Sequence, residues 1–211
     1  MSANRKVYIV GLTGGIASGK SEAARHLATL GARCLDADAV SRSMTAPGGP
    51  LLPALREAFG DEVFFEDGTL NRRALGDIVF GDPMKRRLLD SVTHPAIQKA
   101  MMDDVEKAEA EGVRIVILNV PLLFETGMDA LCDETWLISL DYEKQLERLM
   151  MRDGLTYEQA SARINSQMPL EEKEALATII IDNRRTVEKM CAELTSLYNA
   201  LEKKLYRMEL E

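Results

Sequence analysis

Short apolar runs alternate with longer amphipathic stretches along the chain. The runs fall at Val7 to Leu12, Arg33 to Asp36, Arg114 to Val120, Glu134 to Leu140 and Thr178 to Asp182, and their length reads as strand. Ile115, Val116, Ile117 and Leu118 are continuously apolar, as a strand covered on both faces must be. Helical stretches separate the runs. The pattern therefore predicts an α/β fold built on a doubly wound parallel sheet of five strands.

The first helix is expected over Lys20 to Leu30, closed by Gly31 at a natural C-cap position. Between Asp36 and Arg114 no convincing strand occurs, and the segment is too long for a simple crossover and too apolar for a linker. It reads as a helical insertion over about 46–111, entered through Pro47, Gly48, Gly49 and Pro50, with Pro95 in the first turn of a long helix. Tyr142 to Arg152 is helix-like, Gly154 breaks it, and Thr156 is placed to cap a second helix to about Ser166. The two make a lid within about 142–177. Val187, Met190, Leu194, Leu197, Leu201 and Leu205 recur at three- and four-residue steps, the stripe of a helix packed on the sheet. One domain results, with its core in 1–45, 112–141 and 178–211.

Composition narrows the class. A chain of 211 residues with a formal net charge of -8 is acidic overall, which argues against a nucleic-acid groove. Cys34, Cys132 and Cys191 are far apart and form no CxxC pair, so a disulfide framework or zinc site is not expected. No apolar run approaches the roughly 18 residues of a membrane span, and Met1 to Lys6 lacks a signal-peptide core. A soluble, cytoplasmic protein is expected, as a monomer or weak homo-oligomer.

The chemistry concentrates in GGIASGKS, Gly14 to Ser21, directly after the first strand. Gly14, four residues, then Gly19, Lys20 and Ser21 form a P-loop pattern, which makes the sheet a P-loop NTPase-type sheet. Backbone N–H groups of Gly15, Ile16, Ala17, Ser18 and Gly19 would converge on the phosphates of ATP, with the helix N-terminus adding partial positive charge. Lys20 would reach the β- and γ-phosphates, and the Ser21 hydroxyl would ligate Mg²⁺.

Asp36 and Asp38, in LDAD, close the second strand, where ligands bind in open α/β sheets. Their i, i+2 spacing puts both side chains on one side if the strand continues that far. One would take or hold the proton of an attacking hydroxyl while the other helps organise the metal; alternatively one caps the following helix. Arg148 and Arg152, four apart, and Arg163 on the second lid helix supply cations for phosphoryl oxygens, against a plainer reading as surface ion pairs with Glu147 or Asp153. Where many P-loop proteins carry an aspartate on the third strand, this chain has Asn119, a poorer Mg²⁺ partner. Metal binding then falls to Ser21, substrate phosphates, water and Asp38, with Glu125 a lesser helper. His94 before Pro95 suits either an anionic substrate group or a structural hydrogen bond, and His26 reads as surface.

Taken together, the motifs resemble the dephospho-coenzyme A kinase family over nearly the whole chain. The resemblance rests on GLTGGIASGKS from Gly11, LDAD with Arg42 four residues beyond Asp38, DGTLNRRAL from Asp67, and His94 with Pro95. VPLLFE from Val120, LERLMMRDG from Leu146, Gln167 to Pro169 with Lys173, and Ile181 to Asn183 complete it. It implies transfer of the ATP γ-phosphate to the ribose 3′-hydroxyl of dephospho-coenzyme A, with Mg²⁺. Asp38 would be the base or hydroxyl-orienting residue, and Thr13, Lys20 and Arg148 would bind phosphates. Asp36, Arg42, His94 and Leu122 would belong to the acceptor site, Arg152 to the ATP site, and Asn183 would begin an adenine-contacting turn. Arg184 and Arg185 depart from the family's commoner Asn and Gly there, and Ala17 replaces a frequent glycine.

The P-loop, aspartates and lid arginines would equally serve another nucleoside monophosphate or small-metabolite kinase. A nucleotide switch is the reading from a different class. No NKxD occurs in the sequence and no DxxG follows the P-loop, so guanine specificity has no visible source.

Overall fold

The computed structural model describes residues 6–208. Its elements run β1 (Tyr8–Gly14), α1 (Lys20–Thr29), β2 (Arg33–Asp36), α2 (Ala37–Met44), α3 (Leu52–Phe59), α4 (Arg72–Phe80) and α5 (Pro83–Ala110). There follow β3 (Ile115–Asn119), β4 (Glu134–Ser139), α6 (Tyr142–Asp153), α7 (Tyr157–Asn165), α8 (Leu170–Leu176), β5 (Ile179–Asp182) and α9 (Val187–Met208). The sheet order is β2-β3-β1-β4-β5. β1 pairs in parallel with β3 and β4, and β4 with β5, and Leu12 faces Asn119 on one side and Trp136 on the other. The chain leaves β1 toward β2 and β3, then returns past it to β4 and β5. The reversal of direction falls at the carboxyl end of β1, where an open α/β sheet binds its ligand.

The chain divides into two compact units, one of the described residues up to Leu35 together with those from Lys107 on, the other Asp36–Glu106. In the first, Val10, Leu12, Ile117, Trp136, Ile138 and Ile181 point to one face of the sheet and are buried with Ala23, Ala24 and Leu27 of α1 and Met190, Leu194, Tyr198 and Leu201 of α9. The period-2 alternation sends Ile9, Val116, Leu118 and Leu137 to the opposite face, and these are buried too. Two covered faces explain why β3 reads as an unbroken apolar run. His26, expected on the surface, is half-buried and its Nε2 lies 2.8 Å from Thr195 Oγ1. The Thr195 hydroxyl donates to Cys191 O, so the imidazole is the donor, and it ties α1 to α9.

The second unit has its own core of Leu51, Leu55, Phe59, Val63 and Leu75. Its DGTLNRRAL motif has a structural explanation. Asp67 accepts from the Thr69 N–H at 2.9 Å, Gly68 takes φ +81°, and Asn71 caps α4 by accepting from Ala74 N at 3.1 Å. Arg72 then donates to Thr45 Oγ1 at 2.5 Å, and Arg56 pairs with Asp61 while lying over the Phe64 ring.

Two sequence expectations are corrected here. Pro95 lies inside α5, not in its first turn. The helix starts a dozen residues earlier, where Asp82 accepts from Met84 N and Lys85 N at 2.7 and 3.2 Å and Pro83 takes the first helical position. A 28-residue helix tolerates the one missing N–H of an interior proline because the bonds on either side remain. The lid region, expected as two helices, carries a third, α8, between α7 and β5.

Candidate active site

β1 runs to Gly14, so the first glycine of the octet is the last strand residue. A Cβ on Gly14 would come within 2.9 Å of Ile138 O, so only glycine lets β1 and β4 approach here. Ser18 N donates to Gly15 O at 3.0 Å, closing a four-residue turn with Ala17 at its third position. Ala17 has φ 59°, the left-handed region that turns of type II reserve for glycine. The substitution noted in the sequence therefore carries backbone strain. Ala17→Gly is expected to stabilise the protein by about 0.5–1 kcal/mol, since the left-handed penalty of about 1–2 kcal/mol outweighs glycine's extra unfolded-state entropy. A higher urea midpoint at unchanged m value is the measurement.

Gly19, at φ 97°, is the N-cap of α1, and its carbonyl accepts from Glu22 N and Ala23 N. A Cβ there would strike Asn183 Nδ2 and come within 4.0 Å of Arg148 NH1. Asn183 thus presses on the loop, with Arg148 beside it. Lys20 Nζ donates to Asn119 Oδ1 at 2.6 Å, and Asn119 is 4% exposed at the end of β3. Asn119 holds the lysine against the sheet rim, a role open to a neutral side chain. Ser21 is exposed in the first turn of α1.

Asn183 is 1% exposed and donates to Ser18 O at 2.7 Å, while its backbone N–H binds Ser139 O at 2.9 Å. Its side chain is directed at the P-loop. Asn183 Oδ1 and Ser18 Oγ are buried without a hydrogen-bond partner among the described residues. Arg184 forks onto the Asp182 carboxylate through Nε and NH2 at 2.8 and 3.1 Å, holding that carboxyl below its usual range. Lys144 caps Arg184 O at 2.5 Å. The departure from Asn-Gly is thus compensated locally.

The lid arginines separate into two kinds. Arg152 is 58% exposed on its side chain and pairs with Asp153 at 2.8 Å, and Arg163 reaches the same carboxylate at 3.0 Å. These hydrogen bonds, Arg152's first, hold the Asp153 carboxyl below its usual range, and the plainer reading fits both arginines. Arg148 is half-buried beside Gly19 and has no carboxylate partner among the described residues.

β2 stops at Asp36, so Asp36 and Asp38 do not share one strand face. Asp36 is the N-cap of α2 and accepts from Ala39 N at 2.8 Å; Asp38 follows, exposed, in the first turn. The strand ends because a capping side chain satisfies the helix N–H better than one more ladder residue would. In the same unit, Arg42 is exposed in the last turn of α2, and His94 Nε2 lies 3.4 Å from Asp90 Oδ1, one turn away on α5. Thr13 is fully buried and donates to Pro121 O at 3.2 Å, while Leu122 next in the chain is 38% exposed.

Two residues that sequence reasoning missed bear directly on the loop. Gln145, 4% exposed, donates to Leu140 O at 2.6 Å and places its carboxamide where a Cβ on Gly15 would collide. Gln167 Oε1 accepts from Ile16 N at 3.0 Å. With Tyr142, Pro169 and Lys173, these residues line a cavity of about 530 Å³. No local signal marks a lone glutamine as a loop partner. Only the Gln167 to Pro169 motif hinted at the second.

A sequence model of the dephospho-CoA kinase family matches residues 8–189. A dephospho-CoA kinase from Carboxydothermus hydrogenoformans is 42% identical across 90% of this chain and 92% of its own length. Among solved structures, a Thermus thermophilus protein superposes with a TM-score of 0.79 at 34% identity, covering 92% of this chain and 98% of that one. A dephospho-CoA kinase from Campylobacter jejuni gives 0.68 at 26% identity, covering 93% and 98%. The matched span takes in β1, the P-loop, the lid and Asn183 alike, and the chain belongs to the dephospho-CoA kinase family.

Proposed function

We propose that this chain transfers the γ-phosphoryl group of ATP to the ribose 3′-hydroxyl of dephospho-coenzyme A, yielding coenzyme A and ADP. The observation that carries this is the loop after β1, with Lys20 fixed by Asn119 and Arg148 beside Gly19, in a chain of this family. In-line phosphoryl transfer needs positioning and charge neutralisation more than covalent catalysis. The loop from Gly15 to Ser21 holds phosphate oxygens through the amides not already bonded within the protein, as those of Ile16 and Ser18 are, together with the α1 N-terminus; Lys20 bridges the β- and γ-phosphates, and Arg148 faces the developing charge. Asp38 takes the acceptor's hydroxyl proton as the oxygen bonds to γ-phosphorus and the bond to the bridging oxygen breaks, leaving with ADP. Asp36, Arg42, His94, Thr13 and Leu122 belong to the acceptor's side of the reaction, and Asn183 to the nucleotide's.

The donor set suits Mg²⁺ entering with ATP. The described residues hold no cluster of three His, Cys, Asp or Glu side chains, and Ser21 offers one exposed hydroxyl. Mg²⁺ typically takes few protein ligands and completes its shell with phosphate oxygens and water. Ser21 and Asp38 are the residues proposed to meet it. When bound, it neutralises charge on the β- and γ-phosphates. No helix among the described residues is long and apolar enough to cross a membrane, and we place the enzyme in the cytoplasm, without nucleic-acid partners and as a monomer or weak homo-oligomer.

The test is ATP consumption with Mg²⁺ by purified protein, comparing dephospho-coenzyme A with AMP, CMP, adenosine and no acceptor, with mass detection of the product. A product heavier by one phosphate with dephospho-coenzyme A alone is expected. Preference for another acceptor would overturn the substrate assignment. Slow hydrolysis indifferent to acceptor would favour a switch instead.

A further inference from the structure

Gln167 is held in place from both sides. Its own N–H donates to Ile164 O at 3.1 Å, at the end of α7. The next N–H, of Met168, donates to Glu125 Oε1 at 3.1 Å, and that carboxylate is paired at 2.8 Å with Lys173, which is 1% exposed. Lys173 also donates to Pro121 O at 3.3 Å, and the neighbouring Glu174 accepts from Ser139 Oγ at 2.8 Å, so α8 is fastened to both β3 and β4 ends. A fastened post presents the Gln167 side chain to the P-loop. Such preorganisation is what a group needs to act on a ligand without reordering.

The identity of its two arms follows from the loop. The partner is the Ile16 N–H, a donor, so the arm at 3.0 Å must be the carbonyl oxygen and the other arm must be the NH2. The two arms share one carbon, so the NH2 sits beside the loop whose amides receive phosphate. Its two donors make no hydrogen bond among the described residues, and Gln167 itself is half-buried. We propose that Gln167 is a substrate-contacting residue whose carboxamide oxygen is anchored on the Ile16 amide while its NH2 donates to a phosphoryl oxygen of loop-bound ATP. The inference rests on the kinase reading of the same loop. It adds a donor from the lid to a cradle otherwise made of backbone amides, Lys20 and Arg148.

A merely structural glutamine and a phosphate donor make opposite predictions for two variants of nearly equal size. Gln167→Glu keeps an acceptor for the Ile16 N–H but replaces the NH2 with a charged oxygen that repels phosphate. Gln167→Met loses both arms and introduces no charge. The inference expects kcat/KM for ATP to fall about 10- to 100-fold in the Met variant, as for one hydrogen bond to a charged group, and at least about 300-fold in the Glu variant, where repulsion is added. Kd for ATP, measured by calorimetry on the full chain, should rise in the same order. A Glu variant that equals wild type, or that outperforms the Met variant, would overturn the proposal. Unchanged melting temperatures exclude misfolding as the cause; a Glu variant that does not fold leaves the decision to Gln167→Met, where an ATP Kd equal to wild type overturns it. Failure of wild-type protein to show acceptor-dependent turnover would strike the kinase reading itself and is seen before either variant is assayed.

Discussion

Lys20→Ala is expected to lower kcat/KM for ATP by about 10²- to 10³-fold while leaving the fold intact, the magnitude typical of removing one preorganised charge from a transition state. The ammonium is already fixed, at 2.6 Å from Asn119 Oδ1, so it meets the phosphates without first being ordered. That bond also fixes its reach. Lys20→Arg should recover little, because the guanidinium is larger and planar and would lose the short contact to Asn119. The bond to Asn119 is worth about 1 kcal/mol of stability, so the loss of rate should far exceed the shift in the melt that its removal brings. Steady-state kinetics beside a thermal melt separates the two effects. An alanine variant within threefold of wild type would remove Lys20 from the reaction.

Asp38→Asn is expected to lower kcat by about 10²- to 10⁴-fold with ATP affinity within about twofold of wild type, as for loss of a general base. The geometry distinguishes the two aspartates in a way spacing alone did not. Asp36 spends its Oδ1 on the Ala39 N–H as the cap of α2, whereas Asp38 is exposed in the first turn. Asp36→Ala should therefore act mainly on stability, costing about 1 kcal/mol as caps do. Measuring kcat, ATP Kd and the urea midpoint for both variants gives each a different signature. If Asp36→Asn stops turnover while Asp38→Asn does not, the base assignment passes to the strand end.

How much of this was legible in the sequence depended on how locally each feature is encoded. The five strands and the loop from Gly14 to Ser21 were readable because burial on both faces and glycine spacing leave their mark within a few residues. The start of α5 was missed although Asp82 and Pro83 carry the cap and first-turn signal, because the more conspicuous His94 and Pro95 drew the boundary downstream. Helix α8 went unseen because its seven residues show no repeat of an apolar stripe, and its place is set by Lys173 and Glu174 reaching partners across the fold. Gln145 and Gln167 were illegible for a related reason. A carboxamide is chemically neutral and common, and only tertiary placement turns it toward an amide or a glycine. Arg148 and Arg152 show the converse, since helical spacing puts them on one face, yet Arg152 pairs with Asp153, which Arg163 also reaches, while Arg148 lies beside Gly19.

The fastening of Ser18 by Asn183 and of Ile16 by Gln167 also has a meaning for how the molecule is made. The bonded residues stand 165 and 151 positions apart. The octet leaves the ribosome well before the groups that hold its carbonyl and its amide. Contacts of such long sequence separation close slowly and late. Until Asn183 emerges, the nascent chain carries the whole phosphate-binding sequence without the groups that fasten it, so its nucleotide chemistry matures only once β5 has followed.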